Sequence, residues 1–380
     1  MTERGRGDGS DRLARMPLPR SAGLFAPRDL GSRDNALNLL RLVLAFLVFY
    51  SHADILAGTG DGYEVAGQHL GSWGVVGFFA ISGFLITGSR MRADAGPYLI
   101  NRVTRIFPGF LFSLVFVAFV MAPAAHVIEK GTIDGFFGAS PTPGSYVYSN
   151  ILLHISTYNI GTTLASVPYP GAWNGSLWSL YYEFWCYIII GVFLSWKFIR
   201  SHVWPTALLF LVSVAMHAGI NRIGPYVDGN SEFALLIFML PYFLGGALMY
   251  QLRERIPMRP WIALASTSGA VALILALPSF GAQLASPLIA YVVLWLGAVL
   301  PSPEIIKVHD ISYGVYIYHF PVLQLLILLG MHRHGLPLLL LVAGVVTVIL
   351  SIASWLGIER AAMRWSRGRR PWGDLRQEAR

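Results

Sequence analysis

Hydrophobic residues fill ten long runs of this chain, and short polar segments separate them. A run of about 20 apolar residues can cross the hydrocarbon core of a bilayer as a helix. The sequence therefore predicts an all-α polytopic membrane protein with about ten transmembrane helices. The predicted spans are 36–57, 72–89, 106–123, 176–195, 203–220, 232–250, 261–278, 283–300, 311–330 and 336–357.

The first span carries a polar stripe on its apolar surface. Asn38, Arg41, Ala45, Val48 and His52 recur at steps of three and four residues, so they share one helix face. An ionisable side chain in hydrocarbon costs free energy unless it faces a polar pocket, so His52 is a candidate functional residue. Its neutral imidazole can accept a proton from a hydroxyl near neutral pH. The alternative is an inert histidine at the membrane interface.

Positive charge lies mostly on one side of the predicted topology. Only 13% of the residues are charged, yet 24 of the 28 Lys and Arg residues fall in segments that are cytoplasmic if the N-terminus is inside. This is the distribution that the positive-inside rule predicts. We therefore expect both termini in the cytoplasm, with 1–35 as a disordered basic tail, 358–380 as a second basic tail and 124–175 as the longest outer loop.

The net charge of +8 is then a consequence of topology, and we expect no nucleic-acid partner. Basic tails beside anionic lipid indicate a bacterial plasma membrane as the location. Cys186 is the single cysteine, so intramolecular disulfides and cysteine-based metal sites are excluded. The histidines do not show metal-ligand spacing such as HExxH, so no metal is expected.

Further ionisable residues lie in or beside other spans. Arg102 and Arg105 are three residues apart at the inner end of the third span, and two guanidiniums on one face can hold phosphate groups. Ordinary positive-inside charge is the alternative explanation. Glu183 and His319 lie in the fourth and ninth spans, and with His52 they place three ionisable groups in the outer half of the bilayer. Because buried polar groups need partners, one shared hydrated pocket is expected.

These blocks, in this order, resemble the acyltransferase-3 family of integral-membrane O-acyltransferases. The resemblance covers residues 36–357, which we interpret as the transmembrane acyltransferase domain. It implies an enzyme that takes an acyl group, commonly acetyl, from cytoplasmic acyl-CoA as co-substrate and transfers it to a hydroxyl of a sugar or related acceptor, without a bound cofactor. The resemblance rests on NLLRLVLAFLVFYSH (38–52), VVGFFAISGFLIT (75–87), RVTRIFP (102–108), WSLYYEFWCY (178–187) and SYGVYIYHFP (312–321).

The resemblance also implies residue roles. His52 matches the essential histidine of the family, and the catalytic candidates are His52, Glu183 and His319. The residues expected to bind acyl-CoA are Arg41, Ser82, Gly83, Phe84, Arg102 and Arg105. Those expected to contact the acceptor are Trp178, Ser179 and Tyr182.

Two positions depart from the family pattern and put the subgroup in doubt. Asn38 stands where an aspartate is usual, which weakens an ion pair with Arg41, and Glu183 stands alone where a double glutamate is frequent.

We expect the CoA head near Arg102 and Arg105, and its thin arm in a glycine-lined slot between the first two spans. His52 would then deprotonate the acceptor. An acyl-histidine intermediate is the covalent alternative, and the separate roles of Glu183 and His319 stay open.

A multi-pass transporter or flippase of envelope-polymer precursors is the alternative function. Secondary transporters often contain inverted repeats or paired broken helices, which the sequence does not show. The expected partners are acyl-CoA, a sugar or polysaccharide acceptor and the lipid bilayer. The sequence leaves open the acceptor, the acyl length and the oligomeric state.

Overall fold

The computed structural model describes residues 27–368, apart from 33, 61 and 221–230. In this part of the chain, helices dominate and the β-structure is one antiparallel hairpin, β1 Glu64–Val65 and β2 Gln68–His69. The helices are α1 Leu37–Ala57, α2 Leu70–Arg92, α3 Ala95–Phe116, α4 Ala122–Lys130, α5 Pro143–Asn150, α6 Trp178–Phe193, α7 Lys197–Ser201, α8 Trp204–Ala218, α9 Ser231–Leu252, α10 Pro260–Ala276, α11 Gly281–Leu284, α12 Ser286–Val299, α13 Glu304–Val308, α14 Ser312–Leu328, α15 Leu336–Ser354 and α16 Arg360–Gly368.

Short non-α turns join some of these helices. The π-helical turns Val117–Met121 and Trp355–Glu359 continue α3 into α4 and α15 into α16. The 3₁₀ turns are Phe136–Gly138 and Met331–His334. The two π-turns therefore extend the third and last apolar helices into longer rods.

A helix lies at each of the ten predicted spans. Five of these helices are short, with 14 to 17 residues: α6, α8, α10, α12 and α14. A 17-residue helix is about 26 Å long, less than a hydrocarbon core of about 30 Å. The helical multi-pass fold is as predicted, whereas the number of crossings and the side of each terminus stay predictions. Among the described residues, five helices are long and apolar enough to cross a membrane: Leu37–Ala57, Leu70–Arg92, Ala95–Lys130, Ser231–Leu252 and Leu336–Ser366.

Helices α2 and α9 pack closely, backbone against backbone. A Cβ atom added at Gly83 would lie 1.9 Å from the carbonyl oxygen of Phe243, and one at Gly246 would lie 2.0 Å from that of Ala80. Each glycine thus lets the opposing backbone approach, as small residues do between membrane helices. Gly83 therefore contacts α9, and not the space between the first two spans in which we expected it to bind acyl-CoA.

The seam between α1 and α2 is also closed by close packing. A Cβ at Gly74 would lie 2.8 Å from Cγ2 of Val48, and one at Gly77 would lie 2.7 Å from Cδ2 of Leu44. These glycines accommodate branched side chains of α1. The expectation of a slot for the CoA arm along this seam is therefore wrong, because side chains of α1 already fill the space that the glycines leave.

The segment 124–175, predicted to be an outer loop, begins in a helix and packs onto the other helices. The third apolar helix runs to Lys130, and the helix within the segment ends at Asn150. The following loop is tied to α14, because Nδ2 of Asn174 donates to the carbonyl of Ile317 at 2.8 Å. Pro321 has no N–H to bond that carbonyl within the helix, so the loop supplies the missing donor.

Candidate functional site

The two histidines proposed for catalysis lie side by side. Nδ1 of His52, on α1, is 2.8 Å from Nε2 of His319, on α14. Nδ1 of His319 is 3.0 Å from the carbonyl oxygen of Val315, one turn earlier on the same helix. The structure therefore joins two imidazoles and a backbone carbonyl in one hydrogen-bonded row.

This row assigns the proton positions of the neutral pair. A carbonyl oxygen only accepts, so Nδ1 of His319 carries the proton that points to Val315, and its Nε2 is left as an acceptor. His52 must then donate from Nδ1 to His319, which leaves its own Nε2 without a proton. The hydrogen-bond partner of one ring nitrogen thus sets the state of the other. His52 presents a free basic nitrogen.

The two rings differ in access. His319 is fully buried, whereas His52 is half-buried. The ring of Phe320 packs edge-on against that of His52 with centroids 5.2 Å apart. The rings of Phe49 and His319 pack in the same way with centroids 6.0 Å apart. No described protein atom hydrogen-bonds to Nε2 of His52. The arrangement can therefore expose one basic nitrogen to a substrate while the second imidazole stays enclosed.

Glu183 is not part of this row. Its Oε1 accepts hydrogen bonds from Oγ of Ser82 at 2.5 Å and from the hydroxyl of Tyr187 at 2.6 Å. The expectation of one pocket shared by His52, His319 and Glu183 is therefore corrected to two clusters. Among the two candidates for orienting His52, His319 is the one that contacts it.

Of the expected acceptor contacts, Ser179 turns inward. Its hydroxyl is 2.5 Å from that of Tyr316, which donates to the carbonyl of Ser176 at 2.8 Å. Ser179 is therefore the donor in its own bond to Tyr316. Trp178 is half-buried, and its ring packs edge-on against that of buried Tyr182 at 5.7 Å.

A small cavity of about 30 Å³, which we call the central cavity, adjoins Glu183. Such a volume holds one or two water molecules. The ring of Tyr316 stands between this cavity and the histidine pair, because its centroid lies 6.1 Å from that of His319 and neither histidine lines the cavity. An acyl chain can use this route only if its side chains move apart. The cavity is lined by Arg41, Val75, Phe78, Phe79, Ser179, Leu180, Glu183, Tyr313 and Tyr316.

A buried network of ion pairs joins α1, α3, the start of α14 and the π-helical turn after α15, on the side predicted to be cytoplasmic. Arg41 and Arg105 both pair with Oδ2 of Asp310, with Arg105 at 2.7 Å, and Arg105 also pairs with Glu359 at 2.9 Å. Two positive and two negative groups compensate one another. The terminal nitrogens of Arg105 are thus already engaged, so Arg102 and Arg105 do not form the free phosphate clamp that we expected.

Arg102 behaves differently from Arg105. Within the described ranges it has no hydrogen-bond or ion-pair partner, and its Nε is buried. It lies within electrostatic reach of Tyr187 and Glu183. A buried donor without a partner is costly, so Arg102 is the member of the pair that is free to meet an anionic substrate group.

Asn38 has a role other than the one its departure from the family pattern suggested. Its Nδ2 donates to the carbonyls of Ile306 and Lys307, both at 3.1 Å, at the end of α13. Arg41 takes its negative partner from Asp310 instead. Position 38 therefore fastens α1 to the segment before α14, and an ion pair there is not required.

Sequence reasoning missed Asp310, Glu359 and Tyr316. Glu359 is a carboxylate next to an apolar span, and Asp310 directly precedes the SYGVYIYHFP block. The rule that selected His52 could have selected both acids, since ionisable residues at membrane depth are costly. Tyr316 carried no such signal, because tyrosine is common in apolar helices.

Comparisons with known proteins identify a family and two relatives. The profile of the acyltransferase domain family matches residues 34–356. An O-acetyl transferase of Shigella phage Sf6 is 29% identical over 352 residues, which cover 86% of this chain and 96% of the relative. Nodulation protein 10 of Rhizobium leguminosarum bv. viciae is 28% identical over 360 residues, 88% of this chain and 94% of that protein. No solved structure matches significantly.

Proposed function

Since the chain belongs to the acyltransferase-3 family of integral-membrane O-acyltransferases, we propose that it transfers an acetyl group from cytoplasmic acetyl-CoA to a hydroxyl of a carbohydrate or related acceptor. The acetyl group is suggested by the phage relative, whose name is O-acetyl transferase and which this chain covers almost completely. The acceptor class follows from the family resemblance of the motifs.

The observation that carries the proposal is the hydrogen-bonded row of His52, His319 and the carbonyl of Val315, which in the neutral pair leaves Nε2 of His52 as a proton acceptor. The acceptor hydroxyl gives its proton to Nε2 while its oxygen attacks the thioester carbonyl. The tetrahedral intermediate then collapses, the C–S bond breaks, and the imidazolium returns the proton to the departing CoA thiolate. His319 accepts the Nδ1 hydrogen bond throughout and so stabilises the positive charge on His52.

The donor would approach from the inner side of the central cavity. Arg41, a member of the ion network, and Glu183 line this cavity, and Ser82 hydrogen-bonds to Glu183. Arg102, the unpaired guanidinium, would donate hydrogen bonds to a carbonyl of the donor arm. The rise of α1 from Arg41 to His52 is about 17 Å at 1.5 Å per residue, a distance suited to an extended thioester arm.

The test is acetyl transfer by the purified protein in lipid nanodiscs without any ion gradient. Acetyl-CoA labelled in its acetyl group is supplied with envelope carbohydrate, and mass spectrometry locates the label. We expect labelled ester on a hydroxyl and release of free CoA. Label transfer in nanodiscs also separates an enzyme from a transporter, since a nanodisc has no compartments to transport between.

Absence of both ester formation and CoA release, with folded protein and a range of acyl donors, would contradict the proposal. An acetylated His52 trapped before acceptor is added would replace direct transfer by the covalent route.

A further inference from the structure

Two adjoining cavities form a cleft at the inner ends of α1, α2 and α9, away from the ion network. Their volumes are about 180 and 530 Å³, much larger than that of the central cavity. We call this pair the α1–α2–α9 cleft. The residues that line both cavities are Leu30, Gly31, Phe84, Arg92 and Tyr250.

Four basic side chains line the cleft, and three of them have acidic neighbours. Lys307 bonds to Asp34 and Glu304, both at 2.6 Å, and Arg253 bonds to Glu254 at 2.7 Å. Hydrogen bonding to Asp34 raises the pKa of Lys307, so this ammonium stays charged. Arg28 lies 4.0 Å from Asp34.

Arg92 is the exception among these basic residues. Its one side-chain hydrogen bond within the described part of the chain goes to the hydroxyl of Tyr250, at 3.1 Å. A neutral phenol does not compensate a positive charge. Arg92 is exposed and lines both cavities, so its guanidinium is available for an anion that enters the cleft.

The cleft also has an aromatic wall. The rings of Phe84 and Tyr250 pack edge-to-face with centroids 5.3 Å apart, and the guanidinium of Arg253 lies 4.2 Å over the Tyr250 ring. A basic rim beside aromatic rings suits a ligand that combines phosphate with a heterocyclic base, because aromatic and guanidinium planes both stack on bases.

Residues that line the cleft share faces of α1 and α2 with residues at the central cavity. On α1, Asn38 lines the cleft and Arg41, one turn on, lines the central cavity. On α2, Leu85 lines the cleft, and Ser82 and Phe78 follow at steps of three and four residues on the same face. The rise of α1 from Asn38 to His52 is about 21 Å at 1.5 Å per residue.

We propose that the α1–α2–α9 cleft binds the nucleotide end of acyl-CoA, with Arg92 on a phosphate group and the Phe84–Tyr250 wall beside the base. This proposal rests on the proposed function, and it moves the CoA head from Arg102 and Arg105 to the other side of Arg41. Phe84 then keeps the acyl-CoA role expected of it, at the nucleotide rather than at the thioester.

The test measures binding without chemistry. Isothermal titration with CoA, and with adenosine 3′,5′-bisphosphate as a probe that lacks the arm, is carried out on the wild-type protein, Arg92→Gln and Arg253→Gln in zwitterionic nanodiscs. Arg92→Gln should raise the Kd for both probes about tenfold, as expected for loss of one charged hydrogen bond. Arg253→Gln should also raise both Kd values, because it removes the cation that lies over the Tyr250 ring of the wall. The matched control is Lys197→Gln, which removes an exposed charge from α7, outside the cleft, and should leave both Kd values unchanged.

Other results overturn the proposal in distinguishable ways. Wild-type Kd values in both cleft variants would place the CoA head elsewhere while leaving the proposed function standing. A third result is that the variants match the wild type in zwitterionic nanodiscs and differ from it in Kd for CoA only when phosphatidylglycerol is included. That result would assign the cleft to lipid phosphate. If no variant, including the wild type, binds CoA, the donor in the proposed function is also wrong.

Discussion

His319 controls its neighbour through a single hydrogen bond. Because its own Nδ1 proton points to the carbonyl of Val315, it can only accept from His52. This one acceptor sets which nitrogen of His52 is basic and stabilises the cation that forms when a proton arrives. In the proposed mechanism, His319 is therefore a positioning residue that acts on the substrate through His52.

A pair of substitutions tests this role. His319→Leu removes the acceptor, so we expect the kcat for acetyl transfer to fall by about a hundredfold or more, the usual contribution of a general base. His319→Gln keeps an acceptor oxygen and should recover part of that loss. The KM for acetyl-CoA should change little in either variant. Equal rates in the two variants would mean that His319 fills space and does not orient His52.

At this scale, the sequence was sufficient for part of the site. His52 and His319 could be selected because ionisable groups in hydrocarbon are costly. Their mutual hydrogen bond could not be predicted. The two histidines are 267 residues apart in sequence, and the bond depends on how α1 and α14 are aligned along their axes. The same limit placed Glu183 in the wrong cluster, because a helix face does not reveal which neighbour it meets.

Among the elements, α2 is held by glycine contacts on one side and hydrogen bonds on the other. It meets the backbone of α9 at Gly83 and reaches α6 through the bond from Ser82 to Glu183. Adjacent residues in the SGF block therefore serve different neighbours. The pattern of small residues predicted close packing, but it could not assign the partner helix.

Gly83→Ala tests the contact between α2 and α9. The added methyl would overlap the carbonyl of Phe243, so the helices must separate, and we expect a loss of about 1–3 kcal/mol, as in other overpacked sites. Thermal unfolding in detergent measures this loss. The control is Gly96→Ala in α3, where an added Cβ meets nothing within 4 Å. Equal melting temperatures for both variants would contradict the packing described for α2.

The ion network joins the inner ends of four helices, and it makes a second prediction at this scale. Glu359→Gln leaves Arg105 with one carboxylate in a buried site, and breaking a buried pair costs about 3 kcal/mol. Glu304→Gln is the control, because that carboxylate is 83% exposed and pairs at the surface. Chemical or thermal unfolding of both variants gives the comparison. A similar small effect in both would mean that the network does not stabilise the bundle.

For the whole molecule, apolar periodicity was sufficient to locate the helices. All ten predicted spans contain one, because runs of apolar residues in lipid have few alternatives to a helix. The route of the donor could not be predicted, since it depends on which seams between helices are filled. The seam between α1 and α2 is closed by Leu44 and Val48, which lie in the first span itself.

The topology makes a prediction that uses the single cysteine. Cys186 is fully buried, so a membrane-impermeant maleimide should not label the unmodified protein in intact cells. Tyr148→Cys, at a position 79% exposed in the outer segment, should be labelled in intact cells. Lys197→Cys, on the side with the basic segments, should be labelled only after lysis. The opposite labelling pattern would mean that the topology is inverted and that the α1–α2–α9 cleft opens to the outside.

The central claim is that His52 provides the base for acyl transfer, and His52→Ala tests it most directly. The measurement is the initial rate of labelled acetyl transfer from acetyl-CoA, with wild-type and variant proteins matched for membrane insertion and melting temperature. The loss of the general base predicts a rate at least about a hundredfold lower in the variant. A variant that is correctly inserted and transfers acetyl groups at the wild-type rate would contradict the account.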